Sequence, residues 1–200
     1  MDFFETVENL PPLETKRLIL RKVRPTDAEA IFFYASRPEV TANLTWRTHR
    51  SLEDTYLFIQ GLQYGYAEGT AADWGIVSKE DGRFIGTIGM AHVSRLHGYG
   101  EVGYVLHPDY WGRGIVTEAL RAVIDFAFTY GLNRVEAVHV VENPASGRVM
   151  EKAGMKYEGL LRKRYSIQGE YRDMKMYAIL REDWKRAKTD QRGKQDNAGA

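Results

Sequence analysis

The sequence predicts an α/β (α+β) fold: a mixed, mostly antiparallel sheet with a central parallel strand pair and helices on both faces. The first observation is an amphipathic helix over 112–130, where apolar residues recur in adjacent pairs at intervals of four. The second is a near-continuous apolar run over 135–141, typical of a buried strand. A strand predicted over 101–107 precedes the helix. Strand, helix and strand in this order form a crossover unit whose two strands are parallel.

Turn residues and helix caps define the segments before this unit. Residues 16–24 alternate as a first strand, and a Pro-Thr-Asp sequence then opens a helix that ends at Pro38. A second helix over 51–64 begins at a Ser-x-x-Asp capping box. Strands at 72–79 and 84–93 join through an Asp-Gly turn, which predicts an antiparallel hairpin.

The segments after the unit predict one more helix and two more strands. A short helix over 143–153 ends at a glycine, and strands over 156–163 and 171–180 complete the sheet. The first residues, 1–14, are mixed in character and contain a Pro-Pro pair, so we interpret them as a lead-in segment.

Composition predicts a single domain over 1–184, followed by a polar, disordered tail over 185–200. The chain has 200 residues and no cysteine, which excludes disulfides and thiolate metal sites. It has 28 basic and 27 acidic residues, and the tail alone carries five basic and two acidic ones, so the remainder is slightly acidic. This balance argues against a nucleic-acid binder. The sequence has no apolar run of about 18 residues and no secretory signal, which predicts a cytoplasmic protein without a membrane partner.

A glycine-rich turn stands between the predicted strand and the long helix. Gly112 and Gly114 flank Arg113 there, so backbone N–H groups, the helix dipole and one cation could together hold a pyrophosphate. The alternative is that the glycines only form the turn. A Walker loop is excluded because no Gly-Lys-Ser/Thr ends the motif, and a dinucleotide fingerprint because Thr117 replaces its third glycine. The five histidines show no metal spacing, and we expect no metal.

Six short segments in order give the chain a resemblance that covers about 16–180. They are Glu14-Thr15-Lys16-Arg17-Leu18-Ile19-Leu20-Arg21, Gly86-Thr87-Ile88-Gly89, Glu101-Val102-Gly103-Tyr104, Pro108-Asp109-Tyr110-Trp111-Gly112-Arg113-Gly114 with Thr117-Glu118-Ala119, Asn143-Pro144-Ala145-Ser146, and Glu151-Lys152-Ala153-Gly154-Met155 with Glu158-Gly159. With these segments the chain resembles the GNAT superfamily of N-acetyltransferases, and within it the RimJ/RimL type that acetylates the N-terminal amine of ribosomal proteins.

The resemblance implies a GNAT fold that binds acetyl-CoA where the parallel strand pair splays apart. It implies that the glycine turn holds the pyrophosphate and that the pantetheine arm lies in the gap between the strands. The residues implied to contact the coenzyme are Val105, Leu106, Trp111, Gly112, Arg113, Gly114, Ile115, Val116, Thr117, Asn143 and Ser146.

Three positions depart from the superfamily pattern. Trp111 stands where the superfamily usually has Arg or Gln, and tryptophan at this position is common in the Rim-type branch. Val116 replaces a usual Gly or Ala, and we expect its place inside the helix to accommodate it. Met150 occupies the position of a tyrosine general acid found in many members.

Acetyl transfer needs a neutral amine, a donor for the oxyanion and a proton for the thiolate. Glu101 is the candidate base, directly or through a water; a solvated or substrate-orienting carboxylate is the alternative. Ser146 is the candidate donor to the thiolate, because some Rim-type members use a serine here; a helix-capping role is the alternative. Tyr165 lies where such members can place a glutamate base, but a phenol is a poor base at neutral pH.

The predicted acceptor is the N-terminal α-amine of a protein, and ribosomal proteins follow from the resemblance alone. A small-molecule amine (an amino acid, polyamine or aminoglycoside) is the first alternative, and a non-catalytic acyl-CoA-binding sensor is the second. Arg47, His49 and Arg50 lie in a loop that shapes the acceptor pocket in the family. Their charge argues against a polycationic acceptor. Whether the chain forms a homodimer stays open.

Overall fold

The computed structural model describes residues 2–198, and the side chains of residues 2–190. In this part of the chain it has seven α-helices and eight strands. In chain order these are α1 (Phe3–Glu8), β1 (Leu13–Glu14), β2 (Leu18–Arg21), α2 (Ala28–Ala35), α3 (Pro38–Thr41), α4 (Leu52–Ala67), β3 (Ala72–Ser78), β4 (Phe84–Ser94), β5 (Tyr99–Leu106), α5 (Ile115–Thr129), β6 (Arg134–Val140), α6 (Pro144–Lys152), β7 (Lys156–Ile167), β8 (Glu170–Leu180) and α7 (Arg181–Ala198).

All eight strands form one sheet in the order β1-β2-β3-β4-β5-β6-β8-β7. Every neighbouring pair is antiparallel except β5 and β6, which are parallel. Helix α5 makes the crossover between these two strands. The predicted mixed, mostly antiparallel sheet with a central parallel pair is therefore confirmed.

Helices cover both faces of the sheet, as predicted. Helix α5 packs its apolar stripe, including Leu120, Val123 and Phe128, into the larger core cluster on one face. Helices α2 and α4 pack through Ile31 and Ile59 into a second cluster on the other face. Side chains alternate between the faces of a strand, and the strands β3, β4 and β5 accordingly contribute residues to both clusters.

The parallel pair separates after three residue pairs. Pairing runs from Tyr99↔Arg134 through Gly100↔Val135 to Glu101↔Glu136 and goes no further. Beyond that point β5 continues to Leu106 and β6 to Val140, so the two strands leave a gap between them. Backbone groups that face this gap are free to bind another extended chain.

The N-terminal segment is more ordered than the sequence predicted. Part of the lead-in segment forms α1, which a capping box between Asp2 and Glu5 begins. Phe3 and Val7, four residues apart, are buried in the main core. Pro38 does not end the first helix; α2 ends at Ala35, and Pro38 starts α3 because proline fits the first turn of a helix.

The C-terminal segment also differs from the prediction. A disordered tail was expected from 185, but α7 continues through Ala198; residues 199 and 200 lie outside the described residues. Trp184 donates its indole N–H to Asp125 of α5, and Lys188 donates to the same carboxylate at 2.8 Å. These polar contacts hold the first turns of a helix that has little apolar periodicity. The boundary of a single domain at 184 stays a prediction.

No helix within residues 2–198 is long and apolar enough to cross a membrane.

Candidate active site

The gap between β5 and β6 opens into a cleft of about 600 Å³. Its walls come from β5, β6, the start of α5, the start of α6 and the segment around α3. All six residues of β5 from Glu101 to Leu106 line it, and the five steps between them span about 17 Å of extended strand. The cleft therefore runs from the glycine turn at one end to Glu101 at the other.

The glycine turn forms a cradle of backbone donors at the end of the cleft. Gly112 and Gly114 both have φ of +74°, a left-handed conformation that glycine adopts without steric cost. Gly114 is the N-cap of α5, and the first intrahelical bond runs from the Glu118 N–H to the Gly114 carbonyl. The preceding N–H groups of the first turn have no intrahelical acceptor, so they are available to an anion. We name residues 111–117 the cradle.

Trp111 links the cradle to β5, which the sequence did not reveal. Its indole Nε1 donates to the Leu106 carbonyl at 2.8 Å, and the ring is half exposed. Arg113 differs from the expectation because it is absent from the residues that line the cleft; its guanidinium lies over the Tyr110 ring, 5.3 Å from the centroid. The charge of Arg113 therefore lies at the rim of the cradle.

The first turn of α5 closes the cradle against the core. Ile115 and Thr117 are buried, and Val116 is partly buried against the main core cluster. The β-branched side chain of Val116 therefore fits within the helix, as the sequence analysis expected. All three residues line the cleft.

The residues predicted to flank the pantetheine arm lie on the two walls of the gap. Val105 and Leu106 line it from β5, and Asn143 lines it from the start of α6. The Leu106 carbonyl already accepts from Trp111, so Leu106 offers mainly its N–H. The Asn143 Oδ1 accepts from the Ser146 N–H at 3.3 Å and caps α6, so the capping role belongs to Asn143 and not to Ser146.

Ser146 faces Tyr104 across the gap. The two hydroxyl oxygens are 2.8 Å apart, and Tyr104 also approaches the Ser146 carbonyl at 3.2 Å. Burial raises the pKa of Tyr104 to about 12, against a smaller opposing effect of its contact with Ser146. Tyr104 is therefore a neutral hydroxyl at physiological pH, able to donate to Ser146 while Ser146 donates into the cleft. No sequence pattern assigns Tyr104 a role.

Glu101 and Tyr165 meet at the other end of the cleft. The Tyr165 hydroxyl donates to Glu101, at 3.1 Å from Oε1 and 3.3 Å from Oε2. Burial, the charge of Glu101 and the hydrogen bond to it all raise the pKa of Tyr165. A neutral phenol that donates to a carboxylate cannot also act as a base, so Tyr165 orients Glu101. Both side chains line the cleft and are partly buried.

Buried side chains occupy two further positions along the cleft. Met150 is almost fully buried, so the position of the family's tyrosine acid is filled by an apolar core residue. His139 is buried on β6 and donates from Nδ1 to the Val140 carbonyl at 2.8 Å, while burial lowers its pKa. Gly147 packs against it, because a Cβ there would stand 2.7 Å from His139 Nε2. His139 is thus a neutral, packed residue.

Among the described residues that line the cleft, the loop cations Arg47, His49 and Arg50 are absent. His49 contacts Thr55 at 2.8 Å, and the Arg50 N–H donates to Asp54, so this part of the loop begins α4. Glu39 and Thr45 line the cleft instead. No group of His, Asp and Glu side chains within the described residues is arranged to hold a metal ion.

Comparisons with known proteins agree with this geometry. The family described as Acetyltransferase (GNAT) domain matches residues 17–156. Uncharacterized N-acetyltransferase YoaA from Bacillus subtilis (strain 168) is 36% identical over 172 residues, which cover 86% of this chain and 97% of that protein. Ribosomal-protein-serine acetyltransferase from Escherichia coli (strain K12) is 32% identical over 132 residues, or 66% of this chain and 73% of that protein. The crystal structure of an acetyltransferase (GNAT family) from Bacillus anthracis matches with a TM-score of 0.77 at 29% identity, covering 86% of this chain and 99% of that one.

Proposed function

The chain belongs to the GNAT acetyltransferase family and is an acetyl-CoA-dependent N-acetyltransferase, and we propose that it acetylates the N-terminal α-amine of a protein. The observation that carries the proposal is the shape of the cleft. Its glycine end suits a pyrophosphate, and its Glu101 end reaches the surface, where Ala91 and His92 of the neighbouring strand are exposed. A donor and a peptide terminus could therefore enter from opposite ends.

The donor fits the cleft in one direction. The cradle N–H groups take the pyrophosphate, and Arg113 adds its charge at the rim. The pantetheine arm lies between β5 and β6, where the unpaired backbone beside Val105 and Leu106 binds its amides and Asn143 contacts it from α6. A backbone N–H near Val105 receives the thioester oxygen as it becomes an oxyanion.

The transfer is a direct attack in a ternary complex. The amine nitrogen bonds to the thioester carbonyl carbon, and the bond from that carbon to sulfur then breaks. Glu101 takes the proton that the amine loses, directly or through a water. Ser146 gives a proton to the departing thiolate. The Tyr104 hydroxyl, 2.8 Å from the Ser146 hydroxyl, can then return a proton to Ser146. The products are an N-acetylated amine and the free thiol of CoA.

The chemistry of the amine favours an α-amine over a lysine. An α-amine has a pKa of about 7.7–8.0 and is partly neutral at physiological pH, whereas the lysine amine, at about 10.4, needs much more help. A single carboxylate base at the surface end of a cleft gives modest help in deprotonating an amine, which is enough for an α-amine. The E. coli relative is named as a ribosomal-protein-serine acetyltransferase, which supports a protein N-terminus as acceptor and a ribosomal protein as its source.

One observation favours a small cationic amine as the second candidate. Glu39 and Glu101 are both among the residues that line the cleft, while the predicted loop cations Arg47, His49 and Arg50 are not. Two carboxylates attract an amine that carries further positive charge. A polyamine or an aminoglycoside has this chemistry.

Release of free thiol from acetyl-CoA distinguishes the two acceptors. We expect turnover with short peptides that begin with Ala or Ser, and none with the same peptides acetylated at the N-terminus but carrying an internal lysine. Mass spectrometry of the product would locate the new acetyl group. Turnover confined to polyamines or aminoglycosides would overturn the protein acceptor in favour of the second candidate. Tight binding of acetyl-CoA without thiol release from any amine would indicate a non-catalytic sensor instead.

Replacing Tyr104 with Phe is expected to lower kcat about tenfold, the loss of one hydrogen bond, because Ser146 loses the hydroxyl that holds it and returns its proton. Ser146→Ala should lower kcat by a similar factor, and the double variant should cost little more than either, since the two hydroxyls act as one unit. Steady-state kinetics at saturating acetyl-CoA measures this.

The matched control for that series is Tyr99→Phe, which removes a hydroxyl from the same strand outside the cleft lining. Its kcat should stay within twofold of the wild-type value, or roughly the scatter expected for a substitution that touches no reacting group. Multiplicative losses in Tyr104→Phe/Ser146→Ala would contradict the coupling of the two hydroxyls.

A further inference from the structure

Arg17 and Glu118 form a pair directly behind the cradle. Glu118 lies in the first turn of α5, and its Oε2 accepts from Arg17 Nε at 2.6 Å. Its Oε1 accepts from the backbone N–H of Arg17 at 2.9 Å and from the Thr15 hydroxyl at 2.6 Å. The segment between β1 and β2 is thus tied to the N-terminus of α5 by three hydrogen bonds to one carboxylate.

The guanidinium of Arg17 also contacts the cradle itself. Its Nη1 donates to the Arg113 carbonyl at 2.9 Å, inside the glycine turn. Its Nη2 lies 3.7 Å from the point where a Cβ on Gly114 would stand. The side chain remains 45% exposed, so it is accessible from solvent on the side of the turn. One arginine therefore holds the turn carbonyl, neutralises a carboxylate and approaches Gly114.

The electrostatics explain why a carboxylate is tolerated beside an anion site. Burial opposes the ionisation of Glu118, but hydrogen bonds from Thr15 and Arg17 and the charge of Arg17 hold its pKa below the usual range. Glu118 is therefore charged at neutral pH, within one turn of the N–H groups that would receive a pyrophosphate. Without Arg17 the negative charge of Glu118 would oppose binding of the anionic ligand, because like charges repel across a short distance.

We infer that Arg17 is a positioning residue that holds the cradle and makes the protein select acyl donors that carry a pyrophosphate. The inference rests on the proposed donor site, with the pyrophosphate at the cradle and the pantetheine arm in the gap. It adds a residue that does not line the cleft and that acts through Arg113 and Glu118. If Arg17 has this role, its substitution should lower donor affinity only for donors that carry phosphates, whatever the acyl group or the acceptor.

Calorimetric binding of two donors to the wild type and to Arg17→Gln tests this. Acetyl-CoA carries the pyrophosphate, and S-acetylpantetheine keeps the thioester arm without any phosphate. We expect Arg17→Gln to weaken acetyl-CoA binding about tenfold, as for the loss of a hydrogen bond to a charged group, and to leave S-acetylpantetheine within twofold. Equal losses on both donors, or no loss on either, would overturn the inference.

A second set of variants separates charge from a general loss of structure. In Arg17→Gln/Glu118→Gln the unpaired carboxylate is gone, so acetyl-CoA affinity should recover part of the loss of the single variant. A double variant that binds no better than Arg17→Gln would contradict the electrostatic part of the argument. Arg17→Lys keeps the charge and should lose less than Arg17→Gln. Arg95→Gln is the matched control, since it also breaks an arginine–carboxylate pair, with Asp2, outside the cradle.

The binding measurement needs no acceptor, so it keeps the two proposals apart. If no amine is acetylated but acetyl-CoA binds and the Arg17 series behaves as expected, the acceptor proposal fails and the role of Arg17 stands. If amines are acetylated and both donors respond equally to Arg17→Gln, the role of Arg17 fails alone. Wild-type protein that binds no acetyl-CoA would overturn both.

Discussion

Gly114→Val is expected to weaken acetyl-CoA binding by a factor of at least about ten, with little change in the fold. Gly114 has a φ of +74°, and a residue with a Cβ pays about 1–2 kcal/mol there, more when it is β-branched. The turn can relieve this strain only by moving the N–H groups that begin α5. Since those N–H groups form the cradle, their displacement weakens the binding of the donor's phosphates. Calorimetric titration with acetyl-CoA and CoA measures the effect.

Gly131→Val provides the matched control at the opposite end of the same helix. Gly131 has a φ of +110°, and a Cβ there meets no atom within 4 Å, so the substitution adds backbone strain without crowding. We expect it to lower the melting temperature while acetyl-CoA affinity stays within twofold, a change near the limit of ordinary surface substitutions. Unaltered acetyl-CoA affinity in Gly114→Val would mean that the glycine turn does not hold the donor.

The central part of the fold could be predicted because its signals are local. The stripe of α5 and the apolar run of β6 each identify an element from its own residues, and the short connections between them determine the parallel pair. Helix α1 was missed because six residues give too short a periodic pattern. Helix α7 was missed because its anchor, Asp125, lies 59 residues before Trp184 and no local pattern reveals such a contact.

The same distinction applies to the candidate site. The cradle is contiguous in sequence, so its glycines and the start of α5 could be predicted together. The contacts of Tyr165 with Glu101 and of Tyr104 with Ser146 join residues 64 and 42 positions apart. They depend on how β7 and α6 pack across the gap, which no periodicity encodes. The sequence therefore predicted the geometry of the glycine-turn end of the cleft better than that of the Glu101 end.

Glu101→Gln is expected to lower kcat by about a hundredfold, the lower part of the range for loss of a general base, while acetyl-CoA affinity stays unchanged. Glutamine can still accept the Tyr165 hydrogen bond, so the side chain keeps its place and loses only its basicity. The deficit should be larger below pH 8, where the α-amine is mostly protonated and must lose a proton before attack. A pH series of kcat with a peptide acceptor, beside a single acetyl-CoA titration, measures both parts.

Glu136→Gln is the control that makes this result specific, because Glu136 stands opposite Glu101 in the parallel register and pairs with Arg134 at 2.8 Å. It removes one carboxylate from the neighbouring strand without altering the cleft lining. If Glu101 only orients the acceptor, Glu101→Gln should raise the acceptor KM and leave kcat and its pH dependence unaltered. If Glu101 is only a solvated carboxylate, Glu101→Gln and Glu136→Gln should have similar kcat and acceptor KM values. Only a fall in kcat confined to Glu101→Gln assigns the proton of the amine to this carboxylate.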